Sequence, residues 1–279
     1  MEKKLCVLVS LTVALLFCSC GDPGRKADST IPTEYEEPGT ETLVYETMMP
    51  TVMDVTETTP MTTEPTMPLH SRLYLPAYTS QQILEYFEEV VLNVEYTDGT
   101  GNASLVQKWI APVCYRVFGT PTEEDLLVLT ALFTQLNEIE GFPGIYPAAE
   151  DQVEQLRISF LEPDIFRDSY SSVVGGEDAL GATQFWYYTD TNEIHSARIG
   201  YRTDIDQSTR NSVLVEEIIN TLGISDTVLR EDSVVYQYSN ENTALSDIDW
   251  VILKLLYNPD VRCGMDAESC AAILQELYY

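Results

Sequence analysis

Residues 216–226 read Glu216-Glu217-Ile218-Ile219-Asn220-Thr221-Leu222-Gly223-Ile224-Ser225-Asp226. The residues before them, with Val213, Leu214, Val215, Ile218, Ile219 and Leu222 as the apolar contacts, predict a helix over about residues 212–222. Positions four apart share one helix face, so Glu216 and Asn220 are stacked one turn apart, with Glu217 beside them. Gly223 supplies the positive φ on which helices commonly end. Asp226 follows three residues later. The segment therefore gathers three carboxylates and one amide. Two unit charges about 5 Å apart, at an effective dielectric near 20, repel by roughly 3 kcal/mol. A cation, an arginine or protonation must offset that repulsion, and Arg198, Arg202, Arg210 and Arg230 are the basic residues near it in sequence.

Working outward, an apolar helical face begins at Ser80 with Ile83, Leu84, Phe87, Val90 and Val91. Residues 108–119 read as a strand. Thr120-Pro121-Thr122-Glu123 reads as a capping box with proline at the first helical position. The helix it opens carries Leu126, Leu129, Leu132 and Phe133 and stops near Gly141. Residues 156–161 form a second strand, and an irregular Ser/Gly-rich stretch extends to about Ala182. Residues 184–189 and 193–201 are two β segments around the turn Asp190-Thr191-Asn192. Neither set of alternating residues in 193–201 is cleanly apolar, which predicts an edge strand beside an open cleft. Two more helices follow, over about residues 246–257 and from Asp266 onward. The fold class is α+β, with a twisted mixed sheet and a helical C-terminal part.

The rest of the chain bounds where such a domain works. Lys3 and Lys4, the apolar run from Leu5 to Phe17, and small or thiol residues after it give residues 1–19 the form of a secretory signal peptide. That run is too short for a retained membrane span. Cys20, just after the cut, resembles the lipidated cysteine of a bacterial lipobox, which implies a membrane-anchored lipoprotein facing outside the cytoplasm. Residues 20–72, dense in Thr, Pro and Glu, cannot bury enough apolar surface to order themselves and read as a disordered tether. Residues 73–279 form one domain. The net charge is −30, from 45 acidic and 15 basic residues, which excludes nucleic acid as a partner. Three cysteines remain in the domain. Cys263 and Cys270 are near enough in sequence to pair, and export permits a disulfide.

The 216–226 segment has the frame H-E-x-x-H-x-x-G-x-x-H with every histidine replaced. It resembles the zinc helix of the metzincins. Glu216, Asn220 and Asp226 stand at the three metal-ligand positions, Glu217 at the general-base position and Gly223 at the turn glycine. Gly264-Met265 lies where that family places its methionine turn, and Met265 is the one methionine in the folded domain. The last 60 residues or so are similar to a bacterial family of unknown function grouped with the zincins. That family's Glu-Glu-x-x-Gln, Leu-Gly-Leu, Ser-Val, Leu-Ser-x-x-Asp, Leu-Tyr-Asn-Pro and Gly-Met elements correspond here to Glu216-Glu217-Ile218-Ile219-Asn220, Leu222-Gly223-Ile224, Ser233-Val234-Val235, a segment from Leu245 with Asp249 or Asp247 as its acid, Leu256-Tyr257-Asn258-Pro259 and Gly264-Met265.

The resemblance implies a zincin-like fold with an edge strand bordering a cleft and the methionine beneath the motif. Zinc held by three histidines is excluded by count, since the chain has two, His70 and His195. The expectation is no cofactor; calcium is the ion whose preference for oxygen the donors would meet. The functional expectation is a surface-exposed, non-catalytic pseudoprotease domain that binds a peptide or cell-wall ligand along residues 193–201. The alternatives are a hydrolase with an oxygen-ligated metal or Glu217 as general base, and an envelope component with no ligand cleft.

Overall fold

The computed structural model describes residue 73 and residues 75–92, 105–170 and 179–278. The expected signal peptide, the expected lipidation site Cys20 and the expected tether lie outside the described residues. Among those residues, no helix is long and apolar enough to cross a membrane.

Among the described residues, six helices and five strands run in the order α1 (Ser80–Leu92), β1 (Val113–Gly119), α2 (Glu123–Leu136), β2 (Ile145–Pro147), β3 (Leu156–Leu161), α3 (Pro163–Tyr170), β4 (Gly181–Tyr187), β5 (Ile194–Arg202), α4 (Gln207–Asn220), α5 (Asp247–Leu256) and α6 (Ala267–Leu277). The strands form one mixed sheet in the order β2-β1-β3-β5-β4. β1 is parallel to β2 and β3, and β3 to β5, while β4 runs antiparallel to β5 at the rim. The class is α+β, as expected.

Alternation along β5 assigns its two faces. Ala197, Ile199 and Tyr201 are buried, and the Tyr201 hydroxyl donates to the carbonyl of Leu214 in α4. That face therefore meets α4, against which α2 also packs. On the opposite face, Gly200 lies under the ring of Tyr170 from α3 so closely that a Cβ would sit 2.4 Å from it. Arg198 extends between the rings of Tyr170 and Trp186. This explains the mixed pattern of residues 193–201 and corrects its reading. β5 is an interior strand covered on both faces, its second face by arginine and glycine against aromatic rings. The rim strand beside it is β4, the opposite rim being β2; sequence reading began β4 three residues late because Gly181-Ala182 resembles loop.

Three further boundaries differ. The N-cap of α2 is Thr122, whose side chain accepts from the Asp125 amide while Asp125 accepts from the Thr122 amide; the box lies two residues beyond Thr120. β1 starts at Val113, since residues 108–112 make only an isolated bridge, Lys108 to Glu193. The helix α3 and the short strand β2 were not anticipated. The polar Pro163–Tyr170 segment is helical because Phe166 and Tyr170 bury one side in a small separate cluster with Ala179 and Ala182.

The motif elements near the C-terminus interlock around the end of α4. The Trp109 indole N–H donates to the Thr221 carbonyl, and the Tyr257 hydroxyl to the Leu222 carbonyl. These bonds satisfy carbonyls that a helix end leaves without partners. Ser233 donates to Asp249 at 2.6 Å, and the same carboxylate accepts from the Val234 amide and from its own cap residue, Ser246. Asp249 is therefore the acid of that pair, not Asp247. The buried Lys108 ammonium donates to the carbonyls of Leu256 and Val261 just past α5. Burial lowers its pKa to about 8, and the nearby Cys263 and Cys270 thiols oppose that shift slightly.

Gly223 ends the motif helix at φ 94°, and a Cβ there would lie 2.0 Å from the Gln107 carbonyl oxygen. Gly223→Ala is therefore expected to cost about 2 kcal/mol or more, from left-handed strain together with the clash. Urea denaturation of the full chain measures this, and an unchanged midpoint would contradict the geometry.

Candidate functional site

α4 is longer than its apolar pattern indicated. Asp206 caps it by accepting from the Thr209 amide, and Arg210 in the first turn bonds to the buried Asp125 of α2 at 3.2 Å. With the helix pinned at both ends, Glu216, Glu217 and Asn220 are 5 %, 8 % and 5 % exposed, and Asp226 is 2 % exposed. These values decide against a solvated helix flank. Past Gly223 the chain is drawn onto α1, with the Ser225 amide donating to the Val90 carbonyl and the Thr227 hydroxyl to Glu89. This return brings Asp226 back to the helix, where the Asn220 amide nitrogen donates to Asp226 Oδ1 at 3.0 Å.

Burial sets the electrostatics. Glu216 is pushed well above the ordinary carboxylate range, first by loss of solvation and then by the charges of Asp226 and Glu217. Glu217 rises to about 8, mainly by burial, with the Thr183 hydroxyl opposing the shift and Asp226 adding to it. Asp226 rises to about 7 by burial, partly offset by its bond from Asn220. Near neutral pH the group therefore keeps protons instead of carrying three charges.

The expected arginine substitution is corrected by the same geometry. Arg210 pairs with Asp125, Arg202 with Asp204 and Arg230 with Asp232, while Arg198 donates to Gln184 and the Ser169 carbonyl. Among the described residues, none of these arginines pairs with Glu216, Glu217 or Asp226.

Zinc sites are built mainly on imidazole and thiolate ligands, and Glu216, Glu217, Asn220 and Asp226 offer neither. Among the described residues, no group of three or more His, Cys, Asp or Glu could hold a metal ion.

The remaining sequence-predicted residues lie elsewhere. Met265 turns its sulfur toward the Arg262 amide and exchanges backbone bonds with Val106 through the Gly264-Met265 turn. It borders a surface groove of about 460 Å³ with Pro259, Arg262, Ile273 and Leu277. None of these contacts reaches the carboxyl cluster. Cys263 and Cys270 are free thiols; Cys263 is directed at the Lys108 carbonyl instead, so the two do not form the bridge their spacing suggested. The His195 ring packs against that of Tyr188 in a tilted contact.

Sequence reasoning missed the residues of β4 that adjoin the cluster. The Thr183 hydroxyl donates to the Glu217 carbonyl. Gly181 lies against the Glu217 side chain, and a Cβ there would be 2.7 Å from Glu217 Oε1. The Arg202 amide donates to the Leu180 carbonyl across the hairpin. By antiparallel alternation, the backbone groups of Gly181, Thr183 and Phe185 then face away from β5. Only the order of strands in space reveals that this side is the rim.

No curated protein matches the chain. A family model does match, over residues 80–276, a span that opens on the first residue of α1 and closes within α6. It thus takes in every element that positions the carboxyl cluster and the β4 rim, and the chain belongs to that family, DUF2927, described as a protein of unknown function.

Proposed function

We propose that the chain is a non-catalytic, zincin-like binding module, held by lipid on Cys20 outside the cytoplasm and raised on the 20–72 tether, that takes up an extended peptide. The observation that carries this reading is the position of β4. It is a rim strand whose outward backbone groups lie beside the motif helix, a template on which a peptide adds as a further strand. The edge expected at residues 193–201 is thereby moved to β4. Kinship with the zincins draws support from the positive φ of Gly223 and from the return of Asp226 to Asn220. The oxygen-only donor set favours binding over zinc hydrolysis.

Extended peptides bound by the full chain should weaken when alternate amides are N-methylated. Two lost hydrogen bonds of about 1 kcal/mol each reduce affinity by roughly tenfold or more. Fluorescence anisotropy reads this change. A library with no binders, or binding indifferent to N-methylation, rejects the proposal. A stoichiometric metal retained by the full chain and lost in Glu216→Ala would instead favour a hydrolase with an oxygen-ligated ion.

A further inference from the structure

We infer that Glu216, Glu217, Asp226 and Asn220 form a receptor for a guanidinium, the side chain of an arginine in a peptide seated along β4. The inference rests on the strand-addition reading above and names the ligand chemistry that it selects.

The first argument is missing partners: the protons these acids retain are what a bound cation would displace. Three carboxyl groups are buried together, and among the described residues no lysine or arginine pairs with any of them. Buried acids ordinarily have cationic or hydrogen-bonding partners, and a ligand cation would supply one. The second argument is independent of charge. Asn220 Oδ1 is a buried acceptor with no hydrogen-bond partner, although its amide head is fixed within the cluster by the bond from Nδ2 to Asp226. Such orphans are rare in folded proteins, and this one calls for a donor.

The shape of the site selects among cations. Among the described residues, no three acidic side chains are placed to hold a metal ion. A guanidinium carries five N–H donors in a planar fork and can serve acceptors that are spread apart. Charge-assisted bonds of this kind are stronger than neutral ones.

Position connects the cluster to the strand. Glu217 Oε1 lies against Gly181, the first residue of β4 and one whose backbone faces the rim. The absence of a side chain at Gly181 leaves the glutamate adjacent to the path of an added strand. The net charge of −30 further raises the local concentration of cationic peptides.

The experiment compares three peptides that differ at one residue (arginine, its uncharged isostere citrulline, and lysine) in titrations with the full chain. Arginine should bind roughly tenfold or more tighter than citrulline, with lysine between them. Glu217→Gln should remove most of the preference for arginine over citrulline, with circular dichroism and the thermal midpoint confirming an intact fold. Equal binding of arginine and citrulline peptides, or a preference that survives in Glu217→Gln, overturns the guanidinium receptor while leaving strand addition standing. Failure of all three peptides to bind overturns both.

Discussion

Urea midpoints of the full chain should fall steadily as pH rises from 5 to 8. An ordinary unfolded Asp or Glu titrates near 3.9 or 4.3, whereas Asp226 and Glu217 hold their protons to about 7 and about 8 in the fold, and Glu216 is raised as well. Between about pH 4 and 8 the folded state thus binds more protons than the unfolded state. By linkage, stability is greatest below the unfolded values and declines as pH passes through the folded ones. Each proton retained contributes about 1.4 kcal/mol per pH unit. Glu88 and Asp249 are raised too, so Glu217→Gln combined with Asp226→Asn should flatten the slope substantially without abolishing it. Asp204, Asp232 and Asp266 are lowered; their contribution is lost only below about pH 4, outside this window. His195, lowered by partial burial, opposes the trend near pH 6. A midpoint that stays level or climbs from pH 5 to 8 would show that the cluster is not protonated in the fold.

Asp125→Ala should be among the most damaging single changes. Its carboxylate is fully buried, pairs with Arg210, accepts from Gln207 at 2.6 Å and closes the capping box on Thr122. Removing it leaves a buried guanidinium without its countercharge, at a cost of about 3–5 kcal/mol, and weakens the α2 cap by about 1 kcal/mol more. Asp125→Asn keeps an acceptor for the cap but not the charge, and should fall between Ala and the wild type. Chemical denaturation ranks the three, and an Ala variant within 1 kcal/mol of wild type would refute the argument. Because the pair ties α2 to the first turn of α4, the milder Asn variant is also expected to loosen the motif helix. Faster hydrogen exchange at the α4 amides is the sign to look for.

Much of the local chemistry was legible, although the α2 capping box was read two residues too early. The i, i+4 spacing of Glu216 and Asn220, the stop at Gly223, the hairpin around Asn192 with its φ of 60° and the helix starts near Ser246 and Asp266 could all be read in order along the chain. Apolar periodicity located five of the six helices. It failed at α3, whose partners in a small separate cluster include Ala179 and Ala182 from a different segment. It misjudged β5 because glycine and arginine under aromatic rings give no apolar alternation. Proximity in sequence also misled, since all four arginines near the motif are engaged with other groups.

The sequence by itself determined the class of fold, the motif helix and the four oxygen-bearing side chains set along and after it, because helical periodicity and glycine's backbone freedom operate over single turns. Tertiary structure decided that these groups are buried, that they retain protons near neutral pH and that β4 forms the rim beside them. The physical reason is that desolvation and strand order depend on what packs across the chain: α1 against residues 225–227, and the sheet against α4. No local pattern carries that information.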